Sequence, residues 1–415
     1  LDRKIKTFTI IPVKVFAVLL GMIAMLLLFV KCVDHEHTKI AQQVPKDRRF
    51  EGFAGSKTCA SCHPNIYRSH VQTAHFLTSA PATPQNIKGT PTSGNDRFFY
   101  TPEVCIAIEK SNDRFYQVEY AGNAAKEYAP MDITVGSGKR GQTFLYWHTN
   151  QLFQLPLTWF TSLDQWTNSP GFSNRVIFNR PATSRCLECH STYFQKESAD
   201  SIEPESFSRT AIQYGVDCEK CHGPAARHVA FHQANPAEKT ARFIVSAGNF
   251  SREQKLDLCR LCHGGRLSKT KPSFSFQAGS KLADYFNLDT SRKEAADLDV
   301  HGNQYGMLAS SKCFRQSEMT CLTCHDPHEN ETGKLALFSQ RCMSCHNQAH
   351  GNFCKAEKQI GAPITQNCID CHMPEQPSRS IMVLLQGGSV PVSATMRSHF
   401  ISIYPEETKK FLHKK

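Results

Sequence analysis

The sequence predicts a mainly α-helical and loop fold wrapped around a packed array of covalently held groups, with a β-rich insert and one N-terminal transmembrane helix. Three observations predict it. Seven C-x-x-C-H motifs are strung along 415 residues, six of them after residue 185. The long interval between the first motif and the second has a β-like texture. Residues 8–30, FTIIPVKVFAVLLGMIAMLLLFV, carry a single charge, Lys14, and a bilayer is crossed by roughly 20 apolar residues.

The motifs decide the chemistry. They set Cys59 and Cys62 before His63, Cys186 and Cys189 before His190, Cys218 and Cys221 before His222, and Cys259 and Cys262 before His263. The remaining three are Cys321 and Cys324 with His325, Cys342 and Cys345 with His346, and Cys368 and Cys371 with His372. Eighteen cysteines are too many for an ordinary cytosolic enzyme, and the chain is too long for a small disulfide scaffold. A zinc ribbon needs paired thiols but no histidine at that fixed place. Thioredoxin-like pairs rarely number more than one per domain. C-x-x-C-H reads instead as c-type haem attachment: two thiols add to the two vinyl groups of one haem, and the adjacent imidazole is held over one face of the iron. Seven covalently bound haem c groups are expected, and the fold class is that of a multihaem cytochrome c. The formal charge of +11 would suggest an anionic partner, but seven haems add about −7 oxidised and about −14 reduced, leaving roughly +4 or −3. Nucleic acid is not an expected partner.

Arg3, Lys4 and Lys6 precede the apolar run, so the positive-inside rule leaves the N-terminus in the cytoplasm. Residues 1–33 are read as cytoplasmic N-terminus and transmembrane anchor, and residues 34–54, with Pro45 and a KDRR cluster, as a linker. The expected location is the bacterial cytoplasmic membrane, with the haem region facing the periplasm. A cleaved signal peptide and a lipoprotein acylated at Cys32 are the alternatives; Lys31 stands where the latter needs a small residue.

Residues 55–94 form the first haem segment. The β-rich insert is placed at 95–180, where CIAIE, RFYQVEYAG and QTFLYW are separated by KSND, VGSGKRG and HTNQ. Trp147, Trp159 and Trp166, the only tryptophans, fall there. Residues 181–415 form a six-haem region of helices and loops. Within it Ser251 and Gln254 make a capping box for a helix entering the fourth motif, and PEETKKFL offers a short terminal helix with proline at its first position. Seven macrocycles must supply much of the core, so the chain without haem should be poorly folded.

Six-coordinate irons need a second axial ligand each. Twelve histidines lie outside the motifs. His35 and His37 belong to the linker and His413 to the tail. The expected distal ligands are His75, His228, His232, His301, His328, His350 and His399, with His70 and His148 in reserve. In CLTCHDPH, His328 cannot double back onto its own haem; it crosses to a neighbour, and Pro327 stiffens the turn. His228 and His232 are spaced i, i+4 and share a face if helical.

The segments TCASCHPNIYRSHVQTAH, YGVDCEKCHGPAARHV, SKCFRQSEMTCLTCHDPH and CIDCHMP…MRSH resemble the multihaem cytochromes c related to cytochrome nitrite reductase and hydroxylamine oxidoreductase, over about residues 55–400. The resemblance implies distal ligation by His75, His228, His328 and His399. The chain departs from catalytic members in lacking C-x-x-C-K, which in nitrite reductases marks the active haem. The expected function is electron transfer along bis-histidine haems in a respiratory chain. The alternatives are a reductase or oxidase of a small nitrogen or sulfur compound at one five-coordinate haem, and a structural subunit of a larger respiratory complex. Expected partners are the membrane, other redox proteins, and a quinol-oxidising or terminal reductase complex. Of the remaining cysteines, Cys32, Cys105, Cys313 and Cys354, an oxidising compartment would allow a Cys313–Cys354 disulfide.

Overall fold

A computed structural model describes Met22 and residues 49–413, apart from 90, 92–94, 173–174, 200–201, 290–293 and 389. Residues 1–47 and 48–415 are two units. The expected membrane anchor, Cys32, His35, His37 and most of the linker lie outside the described residues. Among the described residues, no helix is long and apolar enough to cross a membrane.

The β-rich insert is a pair of packed sheets. In chain order its strands are β1 (Ser79–Pro81), β2 (Arg97–Phe99), β3 (Val104–Ser111), β4 (Arg114–Ala121), β5 (Ala124–Pro130), β6 (Ile133–Val135), β7 (Gly141–His148), β8 (Gln151–Gln154), β9 (Leu157–Phe160), β10 (Gln165–Asn168) and β11 (Arg180–Pro181). One antiparallel sheet runs β2-β3-β4-β5; the other runs β1-β6-β7-β8-β11, with β9 bridging β7 and β10. Phe98, Ile106, Ile108 and Phe115 of the first sheet meet Phe144, Leu157, Trp159 and Trp166 of the second. Gln117 is fully buried and clamps the sheets together: its amide donates to the Leu157 carbonyl at 2.9 Å and accepts from the Leu157 N–H at 2.8 Å.

The insert is longer than its sequence texture suggested, reaching back to Ser79 and forward to Pro181. The second sheet also explains why QTFLYW clusters apolar residues instead of alternating them. Successive side chains point to opposite faces; Phe144 faces the first sheet, while Leu145 packs with Ile133, Leu152, Leu187, Phe194 and Phe207 on the other side. Both faces are covered.

That outer cover belongs to the haem-motif region, which is less exclusively helical than expected. It contains the hairpins β12 (Ser191–Lys196) with β13 (Phe207–Tyr214) and, after the two-residue strands β14 (Ser268–Lys269) and β15 (Phe286–Asn287), β16 (Glu375–Val383) with β17 (Val392–Arg397). β12 leaves directly from His190, so the second motif is moored to the sandwich.

The helices are short: α1 (Ser56–Ala60), α2 (Pro64–His70), α3 (Ser184–His190), α4 (Cys218–His222), α5 (Ala226–Ala234), α6 (Arg252–His263), α7 (Gln304–Ser310), α8 (Lys312–Arg315), α9 (Leu335–Met343), α10 (Glu357–Ile360), α11 (Ile369–His372) and α12 (Pro405–His413). The capping box of α6 is present, with Ser251 N–H donating to the Gln254 side chain at 2.9 Å and Gln254 N–H to the Ser251 hydroxyl at 3.3 Å. Proline opens α12 as expected. Segment 280–298 contributes two three-residue 3-10 turns and β15 among its described residues.

Candidate haem-attachment sites and axial ligands

Each motif lies on a helix or 3-10 helix or at its end, where the winding of the chain brings residues i, i+3 and i+4 to a common face. The turns close through the backbone: His63 N–H donates to the Cys59 carbonyl at 2.9 Å, His325 to Cys321 at 3.0 Å, His346 to Cys342 at 2.9 Å and His372 to Cys368 at 3.1 Å. The two thiols and the imidazole of a motif therefore flank one space.

The histidines are aimed by their second nitrogen. With Nε2 reserved for a metal, Nδ1 carries the proton and donates. Such acceptors are present for His222 (Val245 carbonyl, 2.9 Å), His372 (Ser402 carbonyl, 2.8 Å), His263 (Gln304 side chain, 3.1 Å), His190 (Thr78 hydroxyl, 3.0 Å) and His346 (Asn352 carbonyl, 3.4 Å). The expected distal ligands share the pattern: His228 donates to the Arg242 carbonyl at 2.8 Å, His350 to Cys345 at 3.1 Å and His399 to Arg397 at 3.3 Å, while His328 Nδ1 lies 3.3 Å from the Asp326 carboxylate.

Three motif histidines face an expected distal histidine across a gap of one size. The ring centres of His263 and His75, of His222 and His328, and of His325 and His399 are each 6.2 Å apart. Two imidazoles on opposite faces of one metal, bound through bonds of about 2 Å, have ring centres roughly 6 Å apart. His190 feels the imidazoles of His301 and His263, though burial is the larger influence on it. His328, which follows the fifth motif, thus lies opposite the histidine of the third. Burial holds His75, His190 and His399 down to about 4 and also lowers His263, His301 and His325. Desolvation favours the neutral imidazole, which is the ligating form.

The motifs also touch one another. Cys59 contacts Cys218, Cys189 contacts Cys262, Cys259 contacts Cys321, and Cys342 contacts Cys368. In each pair one thiol donates, which lowers its partner: Cys189 falls to about 7 and Cys368 to about 6. α3 and α6 are tied further by Arg185 donating to the Leu261 carbonyl at 2.8 Å. Among the described residues no group of three or more His, Cys, Asp or Glu side chains gathers as a metal-holding cluster. Paired thiols with facing imidazoles fit haem better than zinc.

Other expectations fare differently. His148 is exposed at the end of β7, edge-on to Phe153, and faces no motif. His70 is buried but packs on Phe76 and His328. His228 and His232 do share a face of α5, with ring centres 4.6 Å apart, and the buried His232 Nε2 has no hydrogen-bond partner. Among the described residues, His63, His190, His346 and His372 have no second imidazole at the 6.2 Å spacing. The Cys313–Cys354 disulfide that an oxidising compartment would allow is not formed; both are free thiols. Cys313 neighbours Cys345, whereas Cys354 neighbours Cys371.

Sequence reasoning passed over the carboxylates inside the motifs. In CEKCH the buried Glu219 accepts from the N–H groups of Ala54, Gly55 and Ala225 at 2.7–2.8 Å, pinning the chain before the first motif to the third. Glu188 in CLECH accepts from Phe274 N–H at 2.6 Å. Asp370 in CIDCH pairs with Arg397 at 2.8 Å, two residues before His399. An acidic residue between two haem-binding cysteines was the available signal.

Known proteins share parts of this sequence and fold. The model of the cytochrome c554 and c-prime family matches residues 168–223, a stretch that holds the second and third motifs. The multiheme cytochrome MtrA of Shewanella baltica (strain OS185) is 26% identical over 205 residues, 44% of this chain and 56% of that protein. This chain is a multihaem c-type cytochrome. It spans just over half the length of the curated relative it matches. The crystal structure of the outer cell wall cytochrome OcwA superposes with a TM-score of 0.52 over 86% of this chain and 81% of its own, at 15% identity, a likeness of fold. The multihaem fold thus takes in both the motif region and the β-sandwich.

Proposed function

We propose that this cytochrome transfers single electrons along seven haems held at its seven motifs, with histidine on both axial faces, as a membrane-anchored extracytoplasmic component of a respiratory chain. The observation that carries the reading is the set of three imidazole pairs at one 6.2 Å separation. Bound haem supplies a one-electron ferric/ferrous couple. The protein's part is to hold it: cysteines tether each group, paired imidazoles saturate the metal and leave no place for substrate, and Nδ1 donation to carbonyls makes them stronger ligands. Two imidazoles favour lower potentials than a Met/His set. Contacts between thiols of different motifs support short separations between neighbouring groups. The relationship to the nitrite reductase and hydroxylamine oxidoreductase cytochromes belongs to this reading, supported by motif order. So do residues 8–30 as an anchor in the bacterial cytoplasmic membrane, a periplasmic haem region, and redox-protein, quinol-oxidising or terminal reductase partners.

One observation favours a second reading. His63, His190, His346 and His372 lack a facing imidazole at that spacing among the described residues, while His228, His232, His301 and His350 are the expected ligands still unplaced. If one of those irons is five-coordinate, a small nitrogen or sulfur compound could be reduced or oxidised there. Intact mass of the denatured holoprotein should show seven haem additions, and the ferric spectrum should be low-spin throughout. A high-spin signal from one iron in seven, with turnover of nitrite or hydroxylamine, would establish the enzyme reading instead.

A further inference from the structure

We propose that His70 and Asp217 form a buried bracket that sets the relative orientation of the His222 and His328 imidazoles, acting as positioning residues for the metal those imidazoles share. The proposal rests on the haem-binding reading of that pair.

His70 and Asp217 are each 7% exposed. His70 ends α2 and is itself immobilised: Thr73 Oγ1 donates to its carbonyl at 2.7 Å, and Phe76 packs against its ring at 5.9 Å. Its Nδ1 lies 3.4 Å from the carbonyl of Pro327, the residue immediately before His328, and its ring stands edge-on to that of His328 at 6.1 Å. Its Nε2 is buried, has no hydrogen-bond partner, and lies 3.8 Å from Asp217 Oδ1. That same oxygen accepts from Cys218 N–H at 2.7 Å and caps α4, which carries His222. One imidazole therefore touches the segment leading into each of the two ligands.

The position of Asp217 is equally constrained. Its N–H donates to Thr192 Oγ1 at 2.9 Å, and the preceding Val216 N–H donates to the His75 carbonyl at 2.8 Å. Two residues earlier, Gly215 has φ +65°, and a Cβ there would lie 2.2 Å from the Phe76 carbonyl oxygen. Only glycine lets the two segments approach this closely. Buried polar nitrogens are normally satisfied, and His70 Nε2 instead faces a carboxylate committed to the α4 cap.

The outcome of the bracket is visible in the ring planes. His222 and His328 are the most nearly parallel of the three pairs, 16° apart, against 30° for His325 and His399 and 59° for His75 and His263. Parallel imidazoles split the iron d orbitals strongly and give a rhombic low-spin signal; crossed imidazoles give a more axial one with a larger highest g value. The bracket is therefore readable by electron paramagnetic resonance without any activity assay.

The test uses the full-length holoprotein in the ferric state, after mass analysis has counted its haems. His70→Ala should keep seven haems, move one low-spin signal in seven to a higher g value, and leave the other six unchanged. In a redox titration that one component should also shift its midpoint. His70→Asn, which returns an N–H near the Nδ1 position but nothing toward Asp217, should recover part of the shift. Asp217→Asn keeps a capping oxygen but removes the charge facing His70; it should move the same signal in the same direction, and it provides the reading if His70→Ala does not fold. Seven haems with every signal unchanged in His70→Ala or Asp217→Asn would overturn the bracket alone. A new high-spin signal in His70→Ala would overturn it by making His70 a ligand. A wild-type protein with fewer haems or no bis-imidazole signal would overturn the parent reading.

Discussion

Phe144 in β7 and Cys342 in α9 both sit where the chain segments of their regions converge, yet they meet different company. Phe144 is fully buried against Trp166, with Ile106, Leu155 and Leu157 close by. Cys342 meets another thiol, Cys368. The sandwich closes over its own side chains, and its core aromatics Phe98, Phe115, Phe144, Trp159, Trp166 and Phe178 lie 0–7% exposed. Around the motifs the apolar clusters are small: Leu256, Leu308 and Phe314 form one, and Leu261, Leu267, Leu282 and Phe286 another. What fills the space between them is left to the haems. One region encodes its core in side chains, the other encodes attachment points for a core it does not itself supply.

The largest expected effect comes from withholding haem. In a chain produced without haem attachment, hydrogen exchange should show near-zero opening free energy in α4, α6, α9 and α11, against about 5 kcal/mol in β3, β4 and β7. Uniform protection along the chain would break the comparison. Next in size is Phe144→Ala, which should cost about 3–5 kcal/mol of sandwich stability in a denaturant titration while the haem count stays the same. Loss of haem in that variant would mean the two regions fold as one.

Gln117→Leu should cost about 2–3 kcal/mol, because it strands both the N–H and the carbonyl of Leu157 inside the sandwich. The smallest effect belongs to the motif region. Glu331 accepts from Arg341, which also donates to the Cys324 carbonyl at 2.8 Å. The Arg341 guanidinium holds the Glu331 carboxyl below its ordinary value. A depressed carboxylate stabilises the fold above its unfolded value near 4.5, and that contribution is lost as pH falls through the folded value. Glu331→Gln should cost about 1 kcal/mol at neutral pH, with the gap from wild type closing below pH 4.5; a pH-independent gap would mean that packing, not charge, is responsible.

How much was legible follows the same division. Haem attachment is local chemistry, five consecutive residues on one helical turn, so all seven motifs could be read directly. The sandwich was legible where strands alternate or cluster aromatic residues. It was missed at Ser79–Pro81 and Arg180–Pro181, where strands of two or three residues contain proline and gain their pairing only from the sheet. β12 was hidden behind the second motif, and Pro377 masked β16. The pairing of His328 with His222 and of His399 with His325 joins residues far apart in the chain, which no local pattern records. His70 was weighed as a ligand because a histidine's sequence neighbours do not reveal whether a carboxylate will face it.

The Nδ1 acceptors carry a consequence for mutation. Those of His222, His228, His346, His350, His372 and His399 are main-chain carbonyls, of Val245, Arg242, Asn352, Cys345, Ser402 and Arg397. A carbonyl survives any substitution at its own position, so residues 242, 245 and 402 are free to drift without disturbing the imidazoles they steer. His190 and His263 rely instead on the side chains of Thr78 and Gln304, and a single nucleotide change can remove either. Retuning by ordinary point mutation is therefore concentrated at the second and fourth motifs, while the third, sixth and seventh are insulated by the backbone.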